Sequence, residues 1–283
     1  MEALQLPQVG AANDTGRIIT DLSDDEYHSE RYLGLVSNSG LKVLKRSPAH
    51  YKAWIEGKAS KTSKAMEFGK AFHMAALEPE KYVLRYAVRP DFGDLRTKAA
   101  KELRDAWLEE HTGCIEIASE DHEAIVGMCS SIRLHPAASR LLSGGQREVT
   151  LKWTDQETGL RCKARADLWR EDMELVGDLK STEDASPEAF AKSVYNFGYH
   201  QQDALYRDGF LACGNPIQHF ALVACEKVEP YAVAVYTLDA DAVARGYTAA
   251  RSGIARLAEC VRTNTWNAYS TGVEELSLPR WAQ

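Results

Sequence analysis

The sequence predicts a mixed α/β (α+β) fold in which helices flank a central β-sheet. Three observations carry this. Residues 148–180 hold three consecutive segments of period-two alternation joined by short polar turns, the pattern of a strand meander. Two further apolar runs, 216–224 and 231–238, have the length of buried strands and pair as neighbours. Around them lie segments whose apolar residues recur at helical spacing and whose starts carry Ser or Pro.

The chain has 283 residues, a net charge of −7 and 45% hydrophobic residues, an ordinary globular composition. That charge disfavours an extended nucleic-acid coat, yet leaves room for a local basic channel. No apolar run approaches the ~18 residues that read as a bilayer span, and the start lacks the basic-then-apolar order of a signal peptide. The expectation is a cytoplasmic protein without a membrane partner. None of the six cysteines has CxxC spacing, so neither zinc nor an iron–sulfur cluster is expected.

In chain order, residues 1–20 are aperiodic and read as a loose arm, and 21–283 as one domain without a linker. Asp21 to His28 resembles a short capped turn. Ser37-Asn38-Ser39 caps a helix over Gly40 to Lys45, and Ser47-Pro48 ends it and starts another over Ala49 to Gly57. Lys58, Lys61 and Lys64 form a basic loop, either a solvated face or an edge that touches phosphate. From Ala65 to Leu77 the period aligns Met66, Gly69, His73 and Leu77 on one side of a helix. Gly69 would admit a close neighbour beside that face. On its own, His73 there reads more readily as a hydrogen-bonded core residue than as a ligand.

A strand over Tyr82 to Val88 is expected next, then a charged helix over Thr97 to Glu110 and a short strand at Ile115 to Ile117. Ser119 caps a helix reaching Arg133, and Pro136 to Leu142 is another. The meander runs Glu148 to Trp153, a turn at Asp155 to Gly159, then Leu160 to Trp169 and Glu174 to Lys180. Ser186-Pro187 starts a helix, a second begins at Tyr199, and Ala240 to Thr263 is a long amphipathic one. The tail is expected to pack back through Leu278 and Trp281.

The chemistry concentrates in the meander. Alternation puts Arg165, Asp167 and Trp169 on one strand face, and Asp178 with Lys180 on one face of the next. Two acids in a small volume repel, and a hard divalent cation with oxygen ligands relieves that repulsion. A neighbouring lysine can orient or activate a water for attack on phosphorus. Asp167, Asp178 and Lys180 have the spacing of the PD-(D/E)xK nuclease pattern, without its proline. Glu148 opens a strand leading to this place and is either near the metal or an ordinary edge carboxylate.

Four stretches in this order resemble one family. Gly69 to His73, Lys163 to Asp167, Asp178 to Thr182 and Tyr199 to Tyr206 are similar to the RecE-type exonucleases (exodeoxyribonuclease VIII), phage and prophage recombination nucleases with a RecB- and lambda-exonuclease-like core. Ser37 to Lys42, Ser47 to Lys52 and Leu278 to Trp281 extend the likeness over residues 20–283.

The resemblance implies a restriction-endonuclease-like core and a set of roles. His73, Asp167, Asp178 and the Leu179 carbonyl would hold Mg²⁺ or Mn²⁺, and Lys180 would position or deprotonate the attacking water. Gln202 and Tyr206 would orient the scissile strand from the rim. Thr182, Lys163 or Arg165, and the loop with Lys61 and Lys64, would contact DNA phosphate. It further implies degradation of the 5′-ended strand of linear duplex DNA, a RecT-like annealing partner, a homo-oligomer such as a tetrameric ring, and a bacterial host cell. A structure-selective endonuclease of the same fold and a non-catalytic DNA-binding protein are the alternatives.

Overall fold

The computed structural model describes residues 16–279 apart from 30, 31, 33 and 59–62. Its elements in order are β1 (Arg17–Ile19), α1 (Asp24–Tyr27), α2 (Asn38–Arg46), α3 (Pro48–Ile55), α4 (Lys64–Leu77), α5 (Pro79–Arg85), β2 (Tyr86–Val88), α6 (Lys98–Glu110), β3 (Ile115–Ile117), α7 (Ser119–Leu134) and α8 (Pro136–Leu142). Then follow β4 (Gln146–Thr154), β5 (Arg161–Arg170), β6 (Leu175–Thr182), α9 (Pro187–Asn196), α10 (Tyr199–Ala212), β7 (His219–Glu226), β8 (Val233–Thr237) and α11 (Ala240–Thr263).

Helix starts follow local chemistry. Ser37 Oγ accepts the amide of Gly40 at 3.2 Å, and Ser47 Oγ that of His50 at 3.2 Å with Pro48 at the first helical position. Asp239 does the same for Ala242 at 2.8 Å, where α11 begins. The β4–β5 turn is built by Asp155, whose Oδ1 takes the Thr158 amide at 3.0 Å, and by Gly159 at φ 71°.

Six strands form one mixed sheet in the order β1-β4-β5-β6-β7-β8, with β6 and β7 parallel and the other neighbours antiparallel. A separate pair, β2 and β3, runs parallel. Helices cover both faces of the large sheet. On one, Leu41, Tyr51, Phe190, Leu205, Phe210 and Leu257 pack on Leu151, Ala166 and Val176; on the other, Phe72, Ile125 and Met128 pack on Leu168, Leu179 and Val223. This is the helix-flanked mixed sheet that the restriction-endonuclease-like reading expects. Among the described residues no helix is long and apolar enough to cross a membrane.

Several local expectations are corrected. Within the arm expected over 1–20, Arg17 to Ile19 form a strand antiparallel to β4, a pairing that needs a partner more than a hundred residues away; residues 1–15 lie outside the described part. The strand expected over Tyr82 to Val88 begins only at Tyr86. Pro79 sits in the first turn of α5 and nucleates it, so Tyr82 is buried from a helix. Ala118, not Ser119, holds the cap position of α7, without a side-chain bond. Leu278 is 66% exposed, and Trp281 lies outside the described residues.

Candidate metal centre and active site

Three elements converge on one group of donors. Helix α4 carries His73, β4 carries Glu148 and β5 carries Asp167, and one ligand atom from each lies within 4.8 Å of the others. His73 Nδ1 stands 3.4 Å from Asp167 Oδ2, and the same oxygen accepts the Leu179 amide at 2.8 Å. Glu148 has a left-handed backbone, φ 51°, costing about 1 kcal/mol for a residue with a Cβ. Such strain persists only where neighbours hold it. Here Arg165 Nε holds Glu148 Oε2 at 3.0 Å.

The charges in this group oppose one another. Burial and the Asp167 charge push the Glu148 carboxyl up to about 7. Burial would raise Asp167 too, but His73 and Lys180 outweigh it and bring it down to about 2. His73 is raised: burial lowers it, and Asp167 more than compensates. One imidazole and two carboxylates this close, one of them forced toward its neutral form, fit a divalent cation of the Mg²⁺ or Mn²⁺ kind. Its charge would relieve the repulsion and its oxygen–nitrogen preferences match the donors.

Beside this group, alternation along β6 turns Asp178 and Lys180 toward α10, while Leu179 packs on the α4 side. Asp178 is 1% exposed. Its Oδ1 accepts from Gln202 Nε2 at 2.6 Å and its Oδ2 faces the Lys180 ammonium. Burial and Asp167 push Asp178 up to about 6 against the pull of Lys180. Lys180 is raised despite its burial, because Asp178 and Asp167 hold it charged. Its ammonium also sits 4.6 Å over the Tyr199 ring. A cavity of about 250 Å³ opens here, lined by Lys42, Trp54, Tyr199 and Lys180 among others.

The structure thus divides the expected ligand set. His73 and Asp167 stand together and gain Glu148, whereas Asp178 stands with Lys180 and Gln202. Gln202 and Tyr206 are largely buried and line the same cavity as Lys180: Gln202 holds Asp178, and Tyr206 OH donates to the Arg165 carbonyl at 2.6 Å. Lys163 and Arg165, expected on phosphate, are engaged within the protein. Lys163 Nζ donates to the Tyr27 carbonyl at 2.7 Å, and Arg165 pairs with Asp24 at 2.6 Å and with Glu148.

Thr182 Oγ1 donates to the Asp184 carbonyl at 3.1 Å. Lys64 begins α4 in an exposed position, Lys58 pairs with Glu56, and Lys61 lies outside the described residues. A Cβ at Gly69 would meet only Ser181 Oγ at 3.9 Å, so no close approach demands a glycine there. Sequence reasoning missed Asp24, Lys42 and Tyr199. Two of them carried a signal: Lys42 as the last residue of the Ser37 to Lys42 stretch, and Tyr199 as the first of the Tyr199 to Tyr206 stretch.

Comparison with known proteins agrees with this architecture. A crystal structure of a "Putative exonuclease" from Eubacterium rectale superposes with a TM-score of 0.62, covering 92% of this chain and 96% of that one at 14% identity, which is a likeness of fold. No match is found among curated proteins. Residues 37–279 match a family described as a PDDEXK-like domain of unknown function. With that span covering most of its length, and the His73–Glu148–Asp167 donors gathered in one place, the chain belongs to this PDDEXK-like family.

Proposed function

We propose that this chain is a metal-dependent exodeoxyribonuclease of the RecE type, degrading the 5′-ended strand of linear duplex DNA to mononucleotides. The observation that carries the nuclease reading is the donor group His73–Glu148–Asp167 beside the Asp178–Lys180 pair in a nuclease-superfamily fold. The finer assignment draws on the motif order from Gly69 to Tyr206. It brings with it a RecT-like annealing partner for the exposed 3′ strand, a ring-shaped homo-oligomer, and a phage or prophage setting.

A bound Mg²⁺ or Mn²⁺ would supply polarisation of a phosphate oxygen and acidification of a water. His73, Glu148 and Asp167 would hold it. Lys180, kept charged by Asp178, donates toward the attacking water and the phosphate oxygens, where negative charge grows. Gln202 fixes Asp178 and thereby the Lys180 ammonium. Tyr206 fixes the β5 backbone two residues before Asp167.

The test is digestion of linear duplex DNA labelled at either end, beside a closed circle and Lys180→Ala. The reading expects 5′-labelled mononucleotides from linear DNA alone, lost in the variant. Cutting of the circle would instead identify an endonuclease. No cleavage with Mg²⁺ or Mn²⁺ would leave a DNA-binding role.

A further inference from the structure

We propose that Asp24 is a positioning residue for the metal centre, acting through Arg165 on Glu148. The inference rests on reading His73, Glu148 and Asp167 as the cation's ligands. Arg165 lies two residues before Asp167, and its guanidinium bridges two carboxylates: Nε to Glu148 at 3.0 Å and the terminal nitrogen to Asp24 at 2.6 Å. Those three side chains are at most a quarter exposed, so water screens the interactions only in part. The guanidinium also lies 4.5 Å over the Tyr27 ring, which fixes its plane.

Arg165 has two effects on Glu148. It steadies a carboxylate whose backbone is strained, and it competes for that carboxylate, because a permanent cation on a metal ligand repels a divalent ion. Asp24 resolves the conflict by giving Arg165 a second, closer anion. Asp24 is itself held, with Lys70 Nζ and His28 Nε2 each at 3.4 Å. Without its charge, Arg165 would keep Glu148 as its one ion-pair partner among the described residues. The guanidinium would then close on Glu148, and one uncompensated positive charge would stand beside the centre. The segment from β1 to α1, far from the motifs in sequence, thereby sets how available a metal ligand is.

The experiment is Mn²⁺ binding to the full chain without DNA, by calorimetry, with far-UV circular dichroism as the check on folding. Asp24→Asn should weaken Mn²⁺ binding on the order of tenfold, and Asp24→Glu should recover most of it. In an Arg165→Gln background, Asp24→Asn should cause no further loss, since its route to Glu148 is gone. A folded Asp24→Asn chain that binds Mn²⁺ like the wild type overturns the proposal. So does an equal loss in both backgrounds, which would mean a general charge or anchoring effect. A wild type that binds no Mn²⁺ overturns the metal reading itself, a result that cannot be mistaken for either.

Discussion

Asp167 Oδ2 accepts the backbone amide of Leu179 at 2.8 Å, across the place where the β5–β6 ladder has already ended. The last ladder pair there is Leu168 with Gly177, and beyond it a side chain stands in for the missing backbone partner. One residue therefore closes the sheet gap and belongs to the metal centre. Asp167→Asn keeps an oxygen for the Leu179 amide but removes the charge that faces His73. Nuclease rate should fall by at least about 10²-fold and Mn²⁺ binding should be lost, with a melting temperature close to wild type. Asp167→Ala should lose both and melt lower. Equal melting temperatures for the two would show that the amide bond contributes nothing.

Asp178 and Lys180 form a pair in which neither charge is well solvated, the acid being 1% and the lysine 14% exposed. Removing one partner strands the other. Lys180→Ala should abolish cleavage and also destabilise the fold, by roughly 3 kcal/mol if Asp178 stays ionised. Adding Asp178→Asn should restore much of that stability while leaving the enzyme inactive. Urea denaturation of the two single variants and the double one measures the coupling. Strict additivity would mean that the two groups do not interact.

The metal-free protein should have an unusual pH dependence. Glu148 and Asp178 titrate above their ordinary values, at about 7 and about 6, so the folded state holds protons that the unfolded chain has released. Stability linked to such groups is complete at low pH and declines as pH rises through 4.5 to 7 for Glu148 and 3.8 to 6 for Asp178, on the order of 3 kcal/mol each. Asp167 acts in the other direction, but its loss falls between 3.8 and about 2, below that window. With chelator present, the melting temperature should therefore drop from pH 5 to pH 8, and saturating Mn²⁺ should remove most of the drop. A flat profile with chelator would mean that these carboxylates are not strained by their surroundings.

What the sequence made legible was local. The strands of the meander, Ser37 and Ser47 as caps, and α11 from Ala240 to Thr263 depend on neighbours a few residues away, and they stand where the pattern puts them. What it hid was non-local or conformational. Arg17 to Ile19 become a strand only because β4 offers an edge, and Asp24 meets Arg165 across 141 residues. Glu148 reads as either of two things in sequence, and its left-handed backbone, which no residue type announces, brings it to His73. Tyr82 misled because an aromatic and two aliphatics in a row suit a strand as well as one helix face, and the preceding proline decides between them.

The approach of α11 to α10 sets how the Asp178 pair is held. Gly246 of α11 lies against the backbone of α10, where an added Cβ would meet the His200 carbonyl oxygen at 2.1 Å. A backbone atom cannot rotate away, so Gly246→Ala must push the two helices apart. Helix α10 carries Gln202 onto Asp178 and Tyr206 onto the Arg165 carbonyl, so the displacement reaches the site. His73, Glu148 and Asp167 come from other elements and should keep their places. The variant should lose about 1–3 kcal/mol of stability and much of its turnover while binding Mn²⁺ nearly as wild type does. Gly253, two turns further along the same helix, is the control: its Cβ would meet the Leu41 side chain, nearest at Cδ2 3.2 Å away, and that atom can yield. Gly253→Ala should change turnover little. If both substitutions cost equal turnover, the contact at His200 is not what holds the Asp178–Lys180 pair in register.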